Sequence, residues 1–190
     1  MNVKLISYPT DEDWAKVKML ALATAGRKPA TALPTDAWKL QILKSEHSPI
    51  RSLMFTWAWE ELPYWVSVHF VRHKIGIEHF VQSQRNDRQN KYDRNSAPQN
   101  ALVTHTCIAN AQAIINISKL RLCNKAATET KYAWMMLLRE LKRVAPNVEK
   151  FCVPNCVYRG GICPEFESCG YNKSKLFDIV SEEYLSMPIK

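Results

Sequence analysis

Residues 71–85 have the sequence VRHKIGIEHFVQSQR, which brings together two groups of polar and basic residues. The first group is the triplet Arg72-His73-Lys74, and the second is Ser83 followed by Arg85. A guanidinium group binds phosphate through a planar fork of donors, while serine hydroxyls and loop amides fill the remaining acceptor positions. The pattern therefore predicts a site for two anionic ligands side by side, and it indicates nucleotide binding.

The residues before this stretch predict a strand followed by a helix. From residue 53 to residue 60, Leu, Phe and Trp alternate with other residues at a period of two, which is typical of a strand. Pro63 suits the first turn of a helix, and His69 and Arg72 would lie on one face of that helix. We therefore expect His69 and the triplet to share one pocket.

Periodicity and capping residues predict the other elements. Before residue 48 they are an edge strand at 3–8, a helix from the Thr10-x-x-Asp13 capping box to about Ala25 with Gly26 as its stop, a loop at 27–34, and a helix from Thr35 or Asp36 to His47. After the triplet they are a loop or short ribbon at 84–98 and a helical pattern from Pro98 to about Ala145. This pattern breaks near Cys123-Asn124.

The chain resembles the flavin-dependent thymidylate synthases, whose signature is an Arg-His-Arg triplet, a short spacer and Ser-x-Arg. The triplet here is Arg72-His73-Lys74, and the pair is Ser83 and Arg85. Flanking segments agree in order, and the resemblance covers residues 45–145. These segments are His47-Ser48-Pro49 before the predicted strand, His69 in the predicted helix, and Asn110-Ala111-Gln112, Asn116 and Leu120-Arg121 downstream.

The resemblance implies an α+β fold with a small antiparallel sheet packed by long helices, like that of the thymidylate-synthase-complementing proteins. It also implies a homotetramer whose pockets are shared between chains. Residues 1–148 would form the flavin-dependent thymidylate synthase-like domain, and residues 149–190 a loop-rich, Cys-rich C-terminal appendage outside the family pattern.

The same resemblance assigns roles to individual residues. Ser83 and Arg121 would be catalytic, with the guanidinium of Arg121 stabilising negative charge on the pyrimidine carbonyls as C5 becomes nucleophilic. The residues implied for flavin are Ser48, Arg72, His73, Lys74, Asn110, Gln112 and Asn116. The residues implied for the substrate are His69, Gln82, Ser83, Gln84, Arg85 and Arg121.

The chain also departs from the family pattern. Lys74 replaces an arginine, which keeps the charge but loses the fork of donors, and His69 stands where the family commonly has Gln. Asn86 replaces a Tyr after Ser-x-Arg, and the interval to the Asn-bearing helix is short. The family usually carries a helical insert in this interval, and the insert includes a phosphate-binding arginine. In this chain Arg88, Lys91 or Arg94 would have to replace that arginine.

The implied activity is transfer of a one-carbon unit from methylenetetrahydrofolate to C5 of dUMP, giving dTMP, with FAD as cofactor and NADPH as reductant. One alternative is a related modification of pyrimidine C5, such as hydroxymethylation. Another is a zinc-stabilised protein that binds nucleic acid, because a net charge of +8 favours any anionic partner.

Four cysteines lie close together in the tail. Cys152, Cys156, Cys163 and Cys169 are separated by three, six and five residues, which matches no standard zinc ribbon or ferredoxin run. They remain candidate ligands for zinc or an iron–sulfur cluster, with packed or surface thiols as the alternative. The family needs no enzyme thiol to activate its pyrimidine, so Cys107 and Cys123 are not expected to be nucleophiles.

Size and composition fit one folded domain. The chain has 190 residues, of which 46% are hydrophobic, and no apolar run approaches the roughly 20 residues of a membrane span. Residues 1–4 lack the apolar stretch of a signal peptide. We therefore expect a cytoplasmic protein that acts on small molecules, without a membrane partner.

Overall fold

A computed structural model describes residues 1–30 and 32–187. Its sheet has four strands in the order β1-β2-β4-β3, and each neighbouring pair is antiparallel. The strands are β1 Asn2–Ser7, β2 Met54–Pro63, β3 Ile77–Val81 and β4 Leu102–Asn110. The described helices are α1 Asp11–Thr24, α2 Asp36–Lys44, α3 Tyr64–Phe70, α4 Asn86–Gln89, α5 Ala111–Arg121, α6 Thr128–Val144, α7 Pro146–Glu149, α8 Asn155–Tyr158 and α9 Lys175–Ser186. The α+β prediction is therefore confirmed.

The alternating pattern of β2 builds the core. Phe55, Trp57 and Trp59 point to one face of the sheet and are fully buried, as the period-two side-chain alternation of a strand requires. Trp59 packs edge-on against Trp57 and donates from Nε1 to the carbonyl of Ala133 in α6 at 3.0 Å. Burying an indole in this way costs little because its one donor is satisfied.

Three predicted elements at the N-terminal end are confirmed. In α1, the Asp13 carboxylate accepts from the backbone amide of Thr10 at 2.9 Å, and the helix ends just before Gly26, whose φ is +65°. Thr35 caps α2 by accepting from the amide of Trp38 at 3.3 Å. The strand predicted at 3–8 is β1.

The helical prediction for residues 98–110 was wrong, because most of that segment is β4. Val103, His105, Cys107 and Ala109 are buried in strict alternation. The spacing of Leu102 and Ile108 had suggested a helix, but both side chains lie on the less buried face of the strand. The predicted break near Cys123 is confirmed, since α5 and α6 are separate helices.

The tail is more ordered than a loop-rich appendage. Ser174 caps α9 by accepting from the amide of Phe177 at 3.2 Å, and the helix then runs for 12 residues. Phe151, Phe177 and Tyr184 join the same hydrophobic core as the sheet. Residue 31 of the predicted loop and residues 188–190 of the predicted appendage lie outside the described residues.

Within the described residues, no helix is both long and apolar enough to cross a bilayer.

Candidate functional site

His69, His73 and Arg121 are brought together although they lie on different segments. The triplet follows the end of α3, and Arg121 is the last residue of α5. Arg121 donates from Nε to Nε2 of His73 at 2.9 Å and from Nη2 to the carbonyl oxygen of His69 at 2.6 Å. The backbone of His69 thus lies beside the triplet, but its imidazole contacts the hydroxyl of Thr130 at 2.9 Å and does not line the cavity of the triplet. Helix α3 itself ends at Phe70, before the triplet.

At neutral pH, Arg121 carries a positive charge and its partner His73 does not. Burial, followed by the electrostatic effects of Arg121 and His79, lowers the pKa of His73 to about 4. At neutral pH His73 is therefore an uncharged imidazole whose Nε2 accepts from Arg121, and the ring proton lies on Nδ1. Burial, followed by the charge of Arg72, also lowers the pKa of Arg121, but a guanidinium remains charged in proteins.

The triplet forms one wall of a cavity of about 360 Å³, and α5 forms the other. Four of the side chains predicted to bind flavin line it. The lining residues are Arg72, His73, Lys74, Ile75, Ala113, Asn116, Ile117 and Leu120. The cavity thus combines two cationic side chains with an apolar helix face.

The Ser-x-Arg loop lines a second cavity, of about 380 Å³. Its walls are Tyr64, Val81, Gln82, Ser83, Gln84, Arg85 and Arg94. Of the three cations considered as replacements for the missing insert, Arg94 is the one that lines this cavity. Two guanidinium groups on one polar cavity suit a phosphate.

Four side chains of the second cavity already have partners: Ser83 accepts from the amide of Arg85, Gln84 donates to the hydroxyl of Tyr92, and Arg85 and Gln82 are also bonded. Arg85 forms a bidentate pair with Asp87, with Nε and Nη2 at 3.0 and 2.9 Å from the two carboxylate oxygens. Both groups are well exposed, so the pair is weak and a phosphate can compete with Asp87 for Arg85. Gln82 accepts from the amide of Thr104 through Oε1 at 2.9 Å.

Three residues predicted to bind flavin line neither cavity. Ser48 is exposed at the start of a 3-10 turn over Ser48–Ser52. Asn110 caps α5, with Oδ1 accepting from the amide of Ala113 at 2.9 Å. Gln112 is buried and donates to the carboxylate of Glu46. The observed contacts of Asn110 and Gln112 are therefore structural.

A group of the half-buried His79 with the buried His105 and Cys107 was missed from the sequence. His79 donates from Nε2 to the carbonyl of His73 at 2.7 Å, so its Nδ1 is an acceptor in the neutral ring. His105 must then donate from Nε2 to that nitrogen, 3.0 Å away. The thiol of Cys107 lies 3.4 Å from the same atom.

This group is coupled to the triplet through the bond from His79 to the His73 carbonyl. Burial, followed by the electrostatic effect of His79, lowers the pKa of His105 to about 4, and burial raises the pKa of the Cys107 thiol. His105 Nδ1 has no hydrogen-bond partner among the described residues. The tautomers make it an acceptor, which costs less when orphaned than a donor. Antiparallel pairing of β3 and β4 assembles the group, because His79 lies opposite Cys107.

The four tail cysteines do not converge as predicted. Cys152 is buried in the core, and its thiol donates to the carbonyl of Val148 at 3.6 Å. Cys156, Cys163 and Cys169 instead line a cavity together with Cys123, which lies just beyond α5. The fold therefore replaces one member of the predicted set with a cysteine from another part of the chain.

No family model matches the chain. The fold has a solved counterpart in the crystal structure of a UMP/dUMP methylase, PolB, from Streptomyces cacaoi, bound with 5-Br dUMP. The TM-score is 0.61 at 14% identity, and the match covers 79% of this chain and 93% of that one. This likeness defines the class: an α+β fold shared with a nucleotide-modifying enzyme.

Sequence similarity adds a narrower relation. Over 62 residues the chain is 40% identical to a flavin-dependent thymidylate synthase of Clostridium tetani (strain Massachusetts / E88). The matched segment covers 32% of this chain and 24% of the relative, so the chain matches about a quarter of that protein's length. This match confirms the resemblance inferred from the triplet. The chain is similar to the flavin-dependent thymidylate synthases and diverges from them in sequence.

Proposed function

We propose that the protein is an FAD-dependent enzyme that transfers a one-carbon unit from methylenetetrahydrofolate to C5 of dUMP, with NADPH as reductant and dTMP as product. The observation that carries this proposal is that the two halves of the signature, the basic triplet and the Ser-x-Arg loop, each line a cavity. The named relatives, a thymidylate synthase and a UMP/dUMP methylase, support it.

The residues of the first cavity fit a flavin cofactor. Its volume of about 360 Å³ lies at the lower end of the range of ligand sites, about 300–1,000 Å³. Arg72 and Lys74 would bind the pyrophosphate, and the apolar face of α5 would contact the ring system. When bound and reduced by NADPH, the flavin would supply the two electrons that convert a methylene carbon to a methyl group.

The second cavity would bind the phosphate of dUMP. Arg85, released from Asp87, and Arg94 would supply donors, and the hydroxyl of Ser83 another. Gln82 and Gln84, which line the same cavity, would contact the nucleotide. Arg121 would lie against the pyrimidine carbonyls, held in place by His73 and the His69 carbonyl. A fixed guanidinium stabilises charge that develops on the base without reorganising during the reaction.

A homotetramer would complete the site. The apolar side chains of Ile75 and Leu120, both on the first cavity, are 89% and 52% exposed. Phe80 on the edge strand β3 is 57% exposed. Large exposed apolar side chains beside a ligand cavity favour a contact with another copy of the chain. We retain the cytoplasm as the expected location, and dUMP and folate as the expected partners.

The nucleotide site is tested by Arg85→Ala, with Arg88→Ala as the matched control. Arg88 also lies beside Asp87, at 3.7 Å, but is not among the residues lining the cavity. Loss of a charged hydrogen bond worth about 1.5–3 kcal/mol should weaken dUMP binding roughly tenfold to a hundredfold in Arg85→Ala. Deoxyuridine, which lacks the phosphate, should bind both variants like the wild type.

Titration calorimetry with dUMP and deoxyuridine, and fluorescence titration with FAD, give these affinities. Equal losses for the nucleoside and the nucleotide would show that the phosphate is not at Arg85. Wild-type protein that binds neither FAD nor dUMP would refute the proposal. Incubation with labelled methylenetetrahydrofolate and mass analysis of the nucleotide separate methylation from the alternative, hydroxymethylation.

A further inference from the structure

Four free cysteines surround one cavity between α5 and the tail. Cys123 follows the C-terminal end of α5, Cys156 lies in α8, and Cys163 and Cys169 lie in the loop that leads to α9. Cys123 precedes Cys156 by 33 residues in the sequence, so the fold, rather than a local motif, brings the four thiols to one cavity.

The surroundings suit thiolate ligands. The amide of Lys125 donates to the sulfur of Cys123 at 3.5 Å. The backbone amides of Val157 and Cys156 also hydrogen-bond to the sulfur of Cys156. Hydrogen bonds to cysteine sulfurs are among the features by which proteins tune iron–sulfur clusters.

The thiols around this cavity of about 130 Å³ are not close enough together for a single metal ion. A zinc ion with bonds of about 2.3 Å to four thiolates would place their sulfurs less than about 4 Å apart. Among the described residues, the group of three or more ligand atoms found within 4.8 Å of one another is His79, His105 and Cys107, and none of the four thiols belongs to it.

We propose that Cys123, Cys156, Cys163 and Cys169 bind an iron–sulfur cluster of the 4Fe–4S type. Such a cluster has four thiolate ligands, and its metal–sulfide core keeps the four sulfurs further apart than a single ion does. The backbone of the ligand loop has positive φ at Gly161 and Gly170, +100° and +81°. Glycine adopts this conformation without strain, which lets the loop turn around the cavity.

The test uses the full chain without an affinity tag, purified anaerobically and reconstituted with ferric iron, a thiol reductant and sulfide. We expect about four iron and four sulfide ions per chain and a broad visible absorption that dithionite bleaches. Iron and sulfide are measured chemically before any FAD is added, so the result does not depend on the flavin or on dUMP. A single zinc ion without sulfide, or no bound iron, would overturn the proposal.

Two alanine variants distinguish the ligand set. Cys123→Ala should lose most of the iron, whereas Cys152→Ala should keep it, because Cys152 donates to the carbonyl of Val148 and lies in the core. Retention of iron by Cys123→Ala together with loss in Cys152→Ala would restore the set expected from the sequence and refute this one. Cys169→Ser, at an exposed position, repeats the test where folding is not at risk.

Discussion

At the scale of single residues, the site depends on a guanidinium held by two uncharged partners. Arg121 donates to the imidazole of His73 and to a backbone carbonyl, and neither partner neutralises its charge. A carboxylate in either place would have formed a salt bridge and reduced the positive potential available to a ligand. The contacts therefore fix the orientation of Arg121 and leave its positive charge available to attract an anionic ligand.

Replacement of Arg121 tests this role. Arg121→Ala should weaken dUMP and deoxyuridine binding by the same factor, about tenfold to a hundredfold, because the lost contact is to the base and a charged hydrogen bond contributes about 1.5–3 kcal/mol. The control is Arg139→Ala, which removes an exposed arginine from α6. Calorimetry with both ligands measures the effect, and unchanged affinity in Arg121→Ala would remove it from the site.

At this scale, what the sequence could indicate depended on whether the residues of a site are neighbours in the chain. The triplet and the Ser-x-Arg pair are contiguous, so the sequence alone indicated a nucleotide site. His79 and Cys107 become neighbours only through the pairing of β3 with β4, and β4 had been taken for a helix. Cys123 was missed as a partner of the tail cysteines for the same reason, since only the fold brings it to them.

At the scale of elements, α5 connects several parts of the molecule. Its N-terminus is capped by Asn110, its middle lines the triplet cavity at Asn116, and it ends at Arg121. Asn110 also packs against Gly76, where a Cβ would lie 2.6 Å from its Nδ2. The cap thus fixes the start of α5 against the loop that follows the triplet, which positions both walls of the cavity.

Substitution at Asn110 separates a capping role from direct contact with flavin. Asn110→Ala should lower the free energy of unfolding by about 1 kcal/mol, the usual cost of losing an N-cap, whereas Asn110→Asp keeps an acceptor and should lose less. Urea denaturation measures the stability, and FAD titration is run on the same samples. Loss of FAD affinity in both variants at unchanged stability would instead identify Asn110 as a flavin ligand.

The predictability of the elements followed the strength of their patterns. The buried tryptophans and phenylalanine of β2 alternate without interruption, so the strand was evident. In β4 the buried positions include His105 and Cys107, which are not counted in a hydrophobic pattern. The spacing of the apolar residues Leu102 and Ile108 therefore suggested a helix instead of a strand. The apolar residues of α9 are spread over its surface, with Leu176, Ile179 and Leu185 exposed, and this helix was not predicted.

At the scale of the whole molecule, one aromatic and histidine core lies between the sheet and α6. Trp59 stacks on Phe70 at 4.5 Å between ring centroids, and His105 lies edge-on to Trp59 at 5.6 Å. Histidine in such a core is stable only when uncharged, because burial without a carboxylate partner opposes protonation. The stability of the protein should therefore depend on pH through these rings.

The direction of that dependence follows from the pKa of His105, which falls from its ordinary value near 6.5 to about 4 on folding. Between these values the unfolded chain binds the proton and the folded chain does not, so stability falls as the pH falls. At 1.4 kcal/mol per pKa unit, about 2.5 kcal/mol should be lost between pH 7 and pH 4.5. His73 adds a loss of the same sign.

Urea denaturation at the two pH values measures this loss, with His105→Gln as the comparison. The variant has no ring to titrate at this position, so its stability should change less between pH 7 and pH 4.5 than that of the wild type. Its absolute stability can be lower without affecting the comparison. Parallel changes in the two proteins would mean that His105 does not contribute to the acid sensitivity.

The same depressed pKa of His73 has a consequence near neutrality. Because protonation of His73 begins more than two pH units below 7, its ring stays uncharged throughout the range in which living cells hold their interior. The electrical potential that Arg121 and the triplet present to an anion is then constant over that range. Fluctuations of cellular acidity would therefore leave the charge of His73, and with it the contact between His73 and Arg121, unchanged.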